Sequence, residues 1–236
     1  MSSPSSAEQD HGGHHDDHHG HGHGHANDRG FAAIRRYVKQ TPRMWRSEVN
    51  DAVIGDVAPT PGERVVDIGA GMGAGVFAAT SSGAVIVAVE PTPFLRRVLT
   101  LRRFLHRARS RIVVVDGAAE ALPAADGSID AAWAVNAMHH WVDPRAAASE
   151  LARTLRPGGR ILLVDEAFGD PEHPDAARRA AKGHGPHRHG FSPVEAEAMA
   201  EALLAAGLVD VEAGRRTMAG RPALVVTARS IVGSDG

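Results

Sequence analysis

Cysteine is absent from this chain of 236 residues, and aromatic residues make up only 4% of it. Without cysteine the protein has no disulfides, no thiol nucleophile and no thiolate-bound metal. Tyr37 is the only tyrosine, and Lys39 and Lys182 are the only lysines. No Tyr-x-x-x-Lys pair or similar hydride-transfer set is therefore present, which disfavours an NAD-dependent oxidoreductase.

Long apolar runs are also missing. Uninterrupted stretches such as Ala84–Val89 are far shorter than the roughly 20 residues that a membrane-spanning helix needs. The N-terminus has no basic stretch followed by an apolar core, so we expect no secretory signal, no membrane span and a cytoplasmic location. The formal net charge of −2 gives no reason to expect a nucleic-acid partner.

Residues 1–30 consist mainly of Ser, Gly, Asp and His, with almost no apolar side chains. Such a segment buries too little surface to offset its ordering entropy, so we expect a disordered tail. Neutral imidazoles in a flexible segment can wrap Ni²⁺ or Zn²⁺, which makes the tail a candidate metal site; the alternative is a low-complexity solubility tail. The candidate ligands are His11, His14, His15, His18, His19, His21, His23 and His25.

Residues 31–236 form the folded domain in this interpretation. A first helix is predicted over Phe31–Lys39, and Thr41-Pro42 resembles the start of a second helix that ends near Ala58-Pro59. We expect these two helices, within residues 31–58, to cap the acceptor.

Strand and helix signals then alternate, which is typical of a parallel sheet covered on both faces. The predicted strands are Arg64–Ile68, Val85–Glu90, Ile112–Val115, Ile129–Val135, Arg160–Asp165, Val209–Ala213 and Ala223–Ala228. The predicted helices between them are Gly73–Ser81, Pro93–His106, Pro144–Leu155 and Ser192–Gly207, and Pro157-Gly158-Gly159 is predicted to turn the chain into the fifth strand.

A glycine-rich loop follows the first predicted strand. The segment from Val65 to Gly73 contains Asp67 followed by Gly69, Gly71 and Gly73. Glycine lets a ligand approach the main chain closely. Glu90 ends the next strand about 20 residues later, where an acid can accept hydrogen bonds from both ribose hydroxyls of an adenosine. These features fit an NAD site and an S-adenosylmethionine site equally.

Further segments separate the two alternatives. In chain order they are Asp67 with its glycines, Asp116 to Pro123, Asp130, Asn136 to Trp141, and Leu155 to Arg160. In this order and spacing they resemble the class I S-adenosylmethionine-dependent methyltransferases, and within them the small-molecule branch typified by the ubiquinone and menaquinone C-methyltransferases. The resemblance covers roughly residues 64–166. It implies an α/β fold with a doubly wound, seven-stranded, mostly parallel sheet of the Rossmann-like type, its last strand antiparallel.

The resemblance also assigns roles at the cofactor site. It places Gly69, Ala70 and Gly71 under the methionine part of the cofactor, with Asp67 acting on the ammonium group. It places Glu90 at the ribose. The remaining residues that it brings to the cofactor site are Gly73, Pro91, Gly117, Ala118, Ala119 and Asn136. The family often has Asp at the position of Ala118, so an adenine contact is missing, and Asp116 is a candidate substitute.

A sulfonium already activates its methyl group, so the protein mainly aligns donor and acceptor and excludes water. His139 and His140 are the candidate bases because imidazole titrates near neutral pH. In the alternative, one packs under the cofactor and the other faces solvent. Asn136 and Trp141 are also expected to shape the acceptor pocket. Asp165 and Glu166 are candidates for one of two roles, either structural capping or contact with the substrate.

Residues 169–190 are predicted to form a long polar loop on the acceptor side. His173, His184, His187 and His189 lie in it and suggest either a second metal site or a lid, against a plain solvated loop. The function we predict is methyl transfer from S-adenosylmethionine to a small-molecule acceptor. The alternative is a non-catalytic metal-handling or sensor protein that retains the cofactor fold.

Overall fold

The computed structural model describes residues 45–181 and 193–232. The strands are β1 Arg64–Ile68, β2 Val85–Val89, β3 Ile112–Val115, β4 Ile129–Val135, β5 Leu155–Glu166, β6 Val209–Met218 and β7 Arg221–Arg229. The helices are α1 Glu48–Val57, α2 Ala74–Ala78, α3 Pro93–Leu105, α4 Pro144–Thr154, α5 Ala176–Ala180 and α6 Pro193–Ala205. Short 3₁₀ turns cover Ala79–Ser82, Arg109–Arg111 and Met138–His140.

These strands form a seven-stranded sheet in the order β3-β2-β1-β4-β5-β7-β6. The first five are parallel to one another, and β7 runs antiparallel to both of its neighbours. The strand order reverses between β1 and β4, and a reversal of this kind opens a crevice at the carboxyl edge of a parallel sheet. The predicted doubly wound α/β fold with an antiparallel last strand is confirmed.

Two hydrophobic clusters fill the space on either side of the sheet. Alternate residues of a strand point to opposite faces, so Val65 joins the cluster beneath α1, α2 and α3, whereas Val66 and Ile68 join the cluster beneath α4 and α6. Trp133 of β4 is fully buried in the first cluster. In the part of the chain that the structure describes, no helix is both long and apolar enough to cross a bilayer.

The first described helix begins later than predicted. Its start is Glu48, and Ser47 caps it by accepting a hydrogen bond from the backbone N–H of Asn50. Ser47 supplies the cap of this helix, and the predicted start at Thr41-Pro42 lies outside the described residues. Val49 and Val53 are buried as the spacing predicts, while Trp45 precedes the helix and stays exposed. The end at Val57 agrees with the predicted end.

Three later boundaries also differ. The segment Pro157-Gly158-Gly159 is not a separate turn, because β5 already begins at Leu155 and these residues form an irregularity in its pairing with β4. The polar stretch after β5 is not entirely loop, since it contains α5. The last two strands extend beyond their predicted ends and meet at a tight turn through Ala219 and Gly220. The predicted tail 1–30, the predicted helix Phe31–Lys39 and residues 182–190 lie outside the described residues.

We expect Trp133 to be the largest single contributor to packing under α1. Trp133→Ala should lower the free energy of unfolding by about 3–5 kcal/mol, because it removes the largest fully buried side chain and leaves a cavity. Urea denaturation followed by circular dichroism measures this. Val142→Ala, at a side chain that is 89% exposed, is the control and should change stability by less than about 0.5 kcal/mol. Equal effects of the two variants would contradict the described packing.

Candidate cofactor and acceptor site at the carboxyl edge of the sheet

The glycine loop leaves β1 at the point where the strand order reverses. Backbone N–H groups of Gly69 and Ala70 both donate to the carbonyl oxygen of Val89, at 2.9 and 3.1 Å, so the loop is tied to the end of β2. Gly69, Gly71 and Gly73 have φ values of 74°, 56° and 93°. Residues with a Cβ rarely adopt this left-handed region, which explains the glycines at these three positions.

Close packing also requires glycine at two of these three positions. A Cβ on Gly69 would lie 2.7 Å from Cβ of Ala137, in the loop after β4. A Cβ on Gly73 would lie 2.5 Å from Leu99 of α3 and 2.8 Å from Phe77. The loop is therefore pressed between neighbouring elements, and the segment that follows β4 lies directly beside the loop that follows β1.

Glu90 follows β2 and is buried, with only 3% of its surface exposed. Its Oε2 accepts the N–H of Gly71 at 2.7 Å, and its Oε1 accepts the N–H of Thr92 at 2.7 Å. Burial raises the pKa of Glu90, and the two N–H donors partly oppose this. Each carboxylate oxygen can accept more than one hydrogen bond, so Glu90 keeps acceptor capacity for a polar ligand at this edge.

Asp67 lies on the same face of β1 as Val65, beneath α1 and α2, and is also buried. Burial raises the pKa of Asp67 to about 7; the Trp133 indole opposes the rise, and the negative charge of Glu90 adds to it. Among the described residues, neither Oδ2 of Asp67 nor Nε1 of Trp133 has a hydrogen-bond partner of good geometry. A Cβ on Gly75 would come within 2.7 and 2.8 Å of these two atoms, so both converge on one small space.

The end of β3 is organised by an arginine that the sequence did not single out. Arg96 of α3 donates to the backbone carbonyl oxygens of Glu90 and Pro91 and holds both carboxylate oxygens of Asp116, at 2.9 and 3.0 Å. Arg96 thus engages both oxygens of Asp116, and the role of Asp116 as a substitute adenine contact stays a prediction. Arg96 also ties the ends of β2 and β3 together.

The residues that follow Asp116 fall into two groups. A Cβ on Gly117 would lie 2.9 Å from Pro123 and 3.1 Å from Val89, so glycine is required there by packing. Ala119 is buried in the core beneath α4, and its predicted cofactor contact stays a prediction. Ala118 is half-buried and remains the residue of this group at the edge.

A hydrogen-bonded network joins the ends of β4 and β5. Asn136 has a φ of 54°, and its side chain is engaged at both ends: Nδ2 donates to Glu166 at 2.9 Å, and Oδ1 accepts the backbone N–H of Glu166 at 2.7 Å. Asparagine is among the residues that tolerate this backbone region. The predicted cofactor contact of the Asn136 side chain is therefore replaced by a contact to Glu166, which positions the loop after β4.

The same network reaches the segment after β5. Nε2 of His173 lies 3.1 Å from Oε2 of Glu166, and its Nδ1 accepts the backbone N–H of Asp175 at 3.1 Å, so Nε2 carries the proton. Arg221 of β7 lies 3.4 Å from Oε2 of Glu166. His173 is buried, and these contacts give it a structural part in place of a metal-binding or lid role. Glu166 likewise acts as a structural hub.

His139 forms a pair with Asp165. Its Nδ1 lies 2.9 Å from Oδ2 of Asp165, and its backbone N–H donates to the same oxygen at 3.2 Å. Asp165 is 1% exposed, and its Oδ1 has no partner among the described residues. A carboxylate at Nδ1 holds the imidazole in the Nδ1–H tautomer and leaves Nε2 free to accept a proton. The His140 ring contacts that of His139 in a tilted arrangement, with the ring centroids 3.9 Å apart and the planes at 52°, and His140 is exposed.

The arrangement fits an adenosyl sulfonium with an amino-acid arm. Two buried carboxylates flank a loop of bare main chain, and Asp67 retains a buried oxygen that lacks a partner. Local sequence signals identified the loop, Asp67, Glu90 and His139. They missed Arg96, Trp133 and the Asn136–Glu166 pair, because those contacts join residues that are far apart in the chain.

Within residues 45–181 and 193–232, no group of three or more His, Asp and Glu side chains is placed to hold a metal ion. The tail histidines at positions 11–25, together with His184, His187 and His189, lie outside these ranges.

Known proteins match the central part of the chain. Residues 66–163 match the family model described as a methyltransferase domain. An uncharacterised methyltransferase of Mycobacterium tuberculosis is 41% identical over 115 residues, which are 47% of this chain and 44% of that protein. Demethylmenaquinone methyltransferase of Clavibacter sepedonicus is 35% identical over 132 residues, which are 56% and 50% of the two chains. The matched region thus spans about half the length of these curated relatives.

A solved structure agrees in fold over a longer range. Phosphoethanolamine N-methyltransferase 2 of Haemonchus contortus, in complex with phosphomonomethylethanolamine and S-adenosylhomocysteine, superimposes with a TM-score of 0.61 at 17% identity, covering 77% of this chain and 52% of that one. At this identity the likeness concerns the fold. Residues 66–163 are therefore similar in sequence to a methyltransferase domain, and the described fold is that of a solved methyltransferase structure.

Proposed function

We propose that this protein binds S-adenosylmethionine at the carboxyl ends of β1 and β2 and transfers its methyl group to a small-molecule acceptor. The observation that carries the proposal is the pair of buried carboxylates, Asp67 and Glu90, on either side of the loop Gly69–Gly71. All of these residues lie inside the segment that matches the methyltransferase domain. The named relatives support the same reaction class.

Each residue has a distinct part in this proposal. Glu90 accepts hydrogen bonds from the ribose hydroxyls with the lone pairs not used by Gly71 and Thr92. Asp67 attracts the ammonium group, and the loop main chain lets the methionine arm approach closely. When bound, the sulfonium supplies an activated methyl group, so the protein contributes alignment and exclusion of water.

We place the acceptor beside His139, because Ala137 packs against Gly69 and brings the end of β4 next to the cofactor loop. Asp165 holds His139 in the tautomer whose Nε2 can take a proton from the acceptor. The likeness to demethylmenaquinone methyltransferase supports the small-molecule C-methyltransferase branch. Residues 31–58 and 169–190 remain the predicted acceptor-side cover.

Two further predictions from the sequence concern the whole chain. Eight histidines interleaved with glycine and aspartate in residues 11–25 favour binding of Ni²⁺ or Zn²⁺ by the tail. A cytoplasmic location is the second. Both stay predictions, and the first is independent of methyl transfer.

Removal of the ribose acceptor should weaken cofactor binding. Glu90→Ala removes charge-assisted hydrogen bonds and should lower affinity for S-adenosylmethionine about 10- to 100-fold in titration calorimetry. Gly71→Val should weaken binding as well, because its φ of 56° strains a β-branched residue. Glu201→Ala, at an exposed glutamate of α6, is the matched control. Unchanged affinity in both site variants would show that the cofactor binds elsewhere.

Cofactor affinity should depend on pH through Asp67. The pKa of this carboxyl is raised to about 7, so the group is neutral at lower pH and attracts an ammonium group only as pH rises. From pH 6 to 8 the ionised fraction, and with it this contribution to affinity, should rise about tenfold. Calorimetry of the wild type and Asp67→Asn isolates the effect, since other titrating groups are common to both. The same pH slope in the two proteins would refute the assignment.

The tautomer of His139 can be read by NMR. Two-bond ¹⁵N–¹H spectra should show His139 protonated at Nδ1 when neutral, with His139→Gln identifying its signals. Asp165→Asn should change the tautomer distribution, because an amide can either donate to or accept from the ring. A neutral imidazole protonated at Nε2 in the wild type would contradict the proposed base.

A further inference from the structure

An exposed stripe on α3 combines apolar and cationic side chains. Leu101, Phe104 and Leu105 are 61%, 68% and 75% exposed and lie on one face at helical spacing. Arg97 lies one turn before them on the same face, and Arg107 and Arg109 follow the helix; all three are exposed. We call these six residues the α3 stripe. The opposite face of α3 holds Leu95 and Leu99 in the interior.

Positive charge predominates around the α3 stripe, and the nearby carboxylate of Asp116 is paired with Arg96. Residues 91–115 contain seven arginines and no acidic residue. Four of these arginines are engaged: Arg96 with Asp116, and Arg102, Arg103 and Arg111 with backbone carbonyls. The three arginines of the stripe form no ion pair with any other described residue. The surface therefore offers uncompensated positive charge around an apolar centre.

The protein's own N-terminal residues match this surface poorly. Trp45 packs on Arg102 of α3. Residues 29–46 carry six basic side chains and no acidic one, so the stripe repels them. Residues 1–28 are acidic but have almost no apolar side chains to cover Leu101, Phe104 and Leu105. A second copy of the stripe carries the same positive charge and is repelled in the same way.

We propose that the α3 stripe is a docking surface for an anionic lipid bilayer. Leucine and phenylalanine enter the boundary between headgroups and acyl chains, while arginines attract anionic headgroups. A cleft of about 380 Å³ lies beside the stripe, and Arg97, Thr100 and Val114 line it together with Arg96 and the Asp116 carboxylate that Arg96 holds. The proposal is independent of the methyl-transfer assignment and requires no membrane-spanning segment.

Flotation of the full-length chain with vesicles tests the proposal. The chain should float with phosphatidylcholine vesicles that contain phosphatidylglycerol, about tenfold more than with phosphatidylcholine alone, and high salt should release it. Phe104→Ser/Leu105→Ser and Arg97→Gln/Arg109→Gln should each lower binding about tenfold or more. Leu204→Ser and Arg145→Gln, at exposed positions on other helices, are the matched controls and should bind as the wild type does.

Five outcomes would overturn the proposal. No flotation with anionic vesicles, or full flotation of both stripe variants, would show that this face does not bind lipid. Equal loss in the controls would show that the effect is not local. Binding of a short RNA or DNA duplex in place of vesicles would identify a nucleic-acid surface, and a dimer in sedimentation that Phe104→Ser/Leu105→Ser dissociates would identify contact between copies. Unchanged melting temperatures in all variants would show that the substitutions leave the fold intact.

Discussion

The carboxylate of Glu90 holds the functional edge of this sheet together. It bridges the loop after β1, through Gly71, and the turn after β2, through Thr92. Arg96 extends the connection to β3 by holding Asp116 and the carbonyl groups that follow β2. Together with the backbone hydrogen bonds from Gly69 and Ala70 to Val89, these contacts give three parallel strands one connected rim. A ligand at this rim meets preformed geometry, which lowers the entropic cost of binding.

Buried carboxylates make this rim less stable than an apolar one. Asp67 is buried without a partner for Oδ2, and its neighbour Glu90 is negative when ionised, so both groups resist ionisation. Proteins tolerate such polar groups at functional sites and compensate elsewhere. Here the compensation lies in the apolar layers on both faces of the sheet. A cationic ligand group near Asp67 reverses the penalty, which gives the site a physical preference for a ligand with an ammonium group over one with a pyrophosphate.

At the ends of β4 and β5, buried acidic side chains likewise hold neighbouring loops in place. Asp165 orients His139, and Glu166 fixes Asn136 in a left-handed conformation while also holding His173. These two adjacent acidic residues of β5 therefore hold the segment after β4 and the segment after β5 in place. Ala137 packs against Gly69, so the histidine and the glycine loop are held next to each other. Direct contacts therefore connect the loops that follow β1 and β4 with the end of β5.

Local signals predicted much of this. The limits of β1, β3 and β4 follow from apolar runs bounded by polar or glycine residues, and Glu90 and the glycines follow from their spacing after β1. Contacts between distant residues could not be predicted, since Arg96 meets Asp116 across 20 residues and Asn136 meets Glu166 across 30. The start of α1 at Glu48 was not predicted, although Ser47 is a good cap by residue type. In β5 the residues between Leu155 and Arg160 have no partner in β4, so the Pro-Gly-Gly signal coincides with an irregularity inside a long strand.

The most direct test of the central claim is a crystal structure of the full chain with S-adenosylhomocysteine. The account predicts ribose hydroxyls within hydrogen-bond distance of Glu90, the amino group on the side of Asp67, and the methionine arm along Gly69–Gly71. Ligand density at another edge of the sheet, or a ligand at this edge whose ribose makes no contact with Glu90, would contradict it.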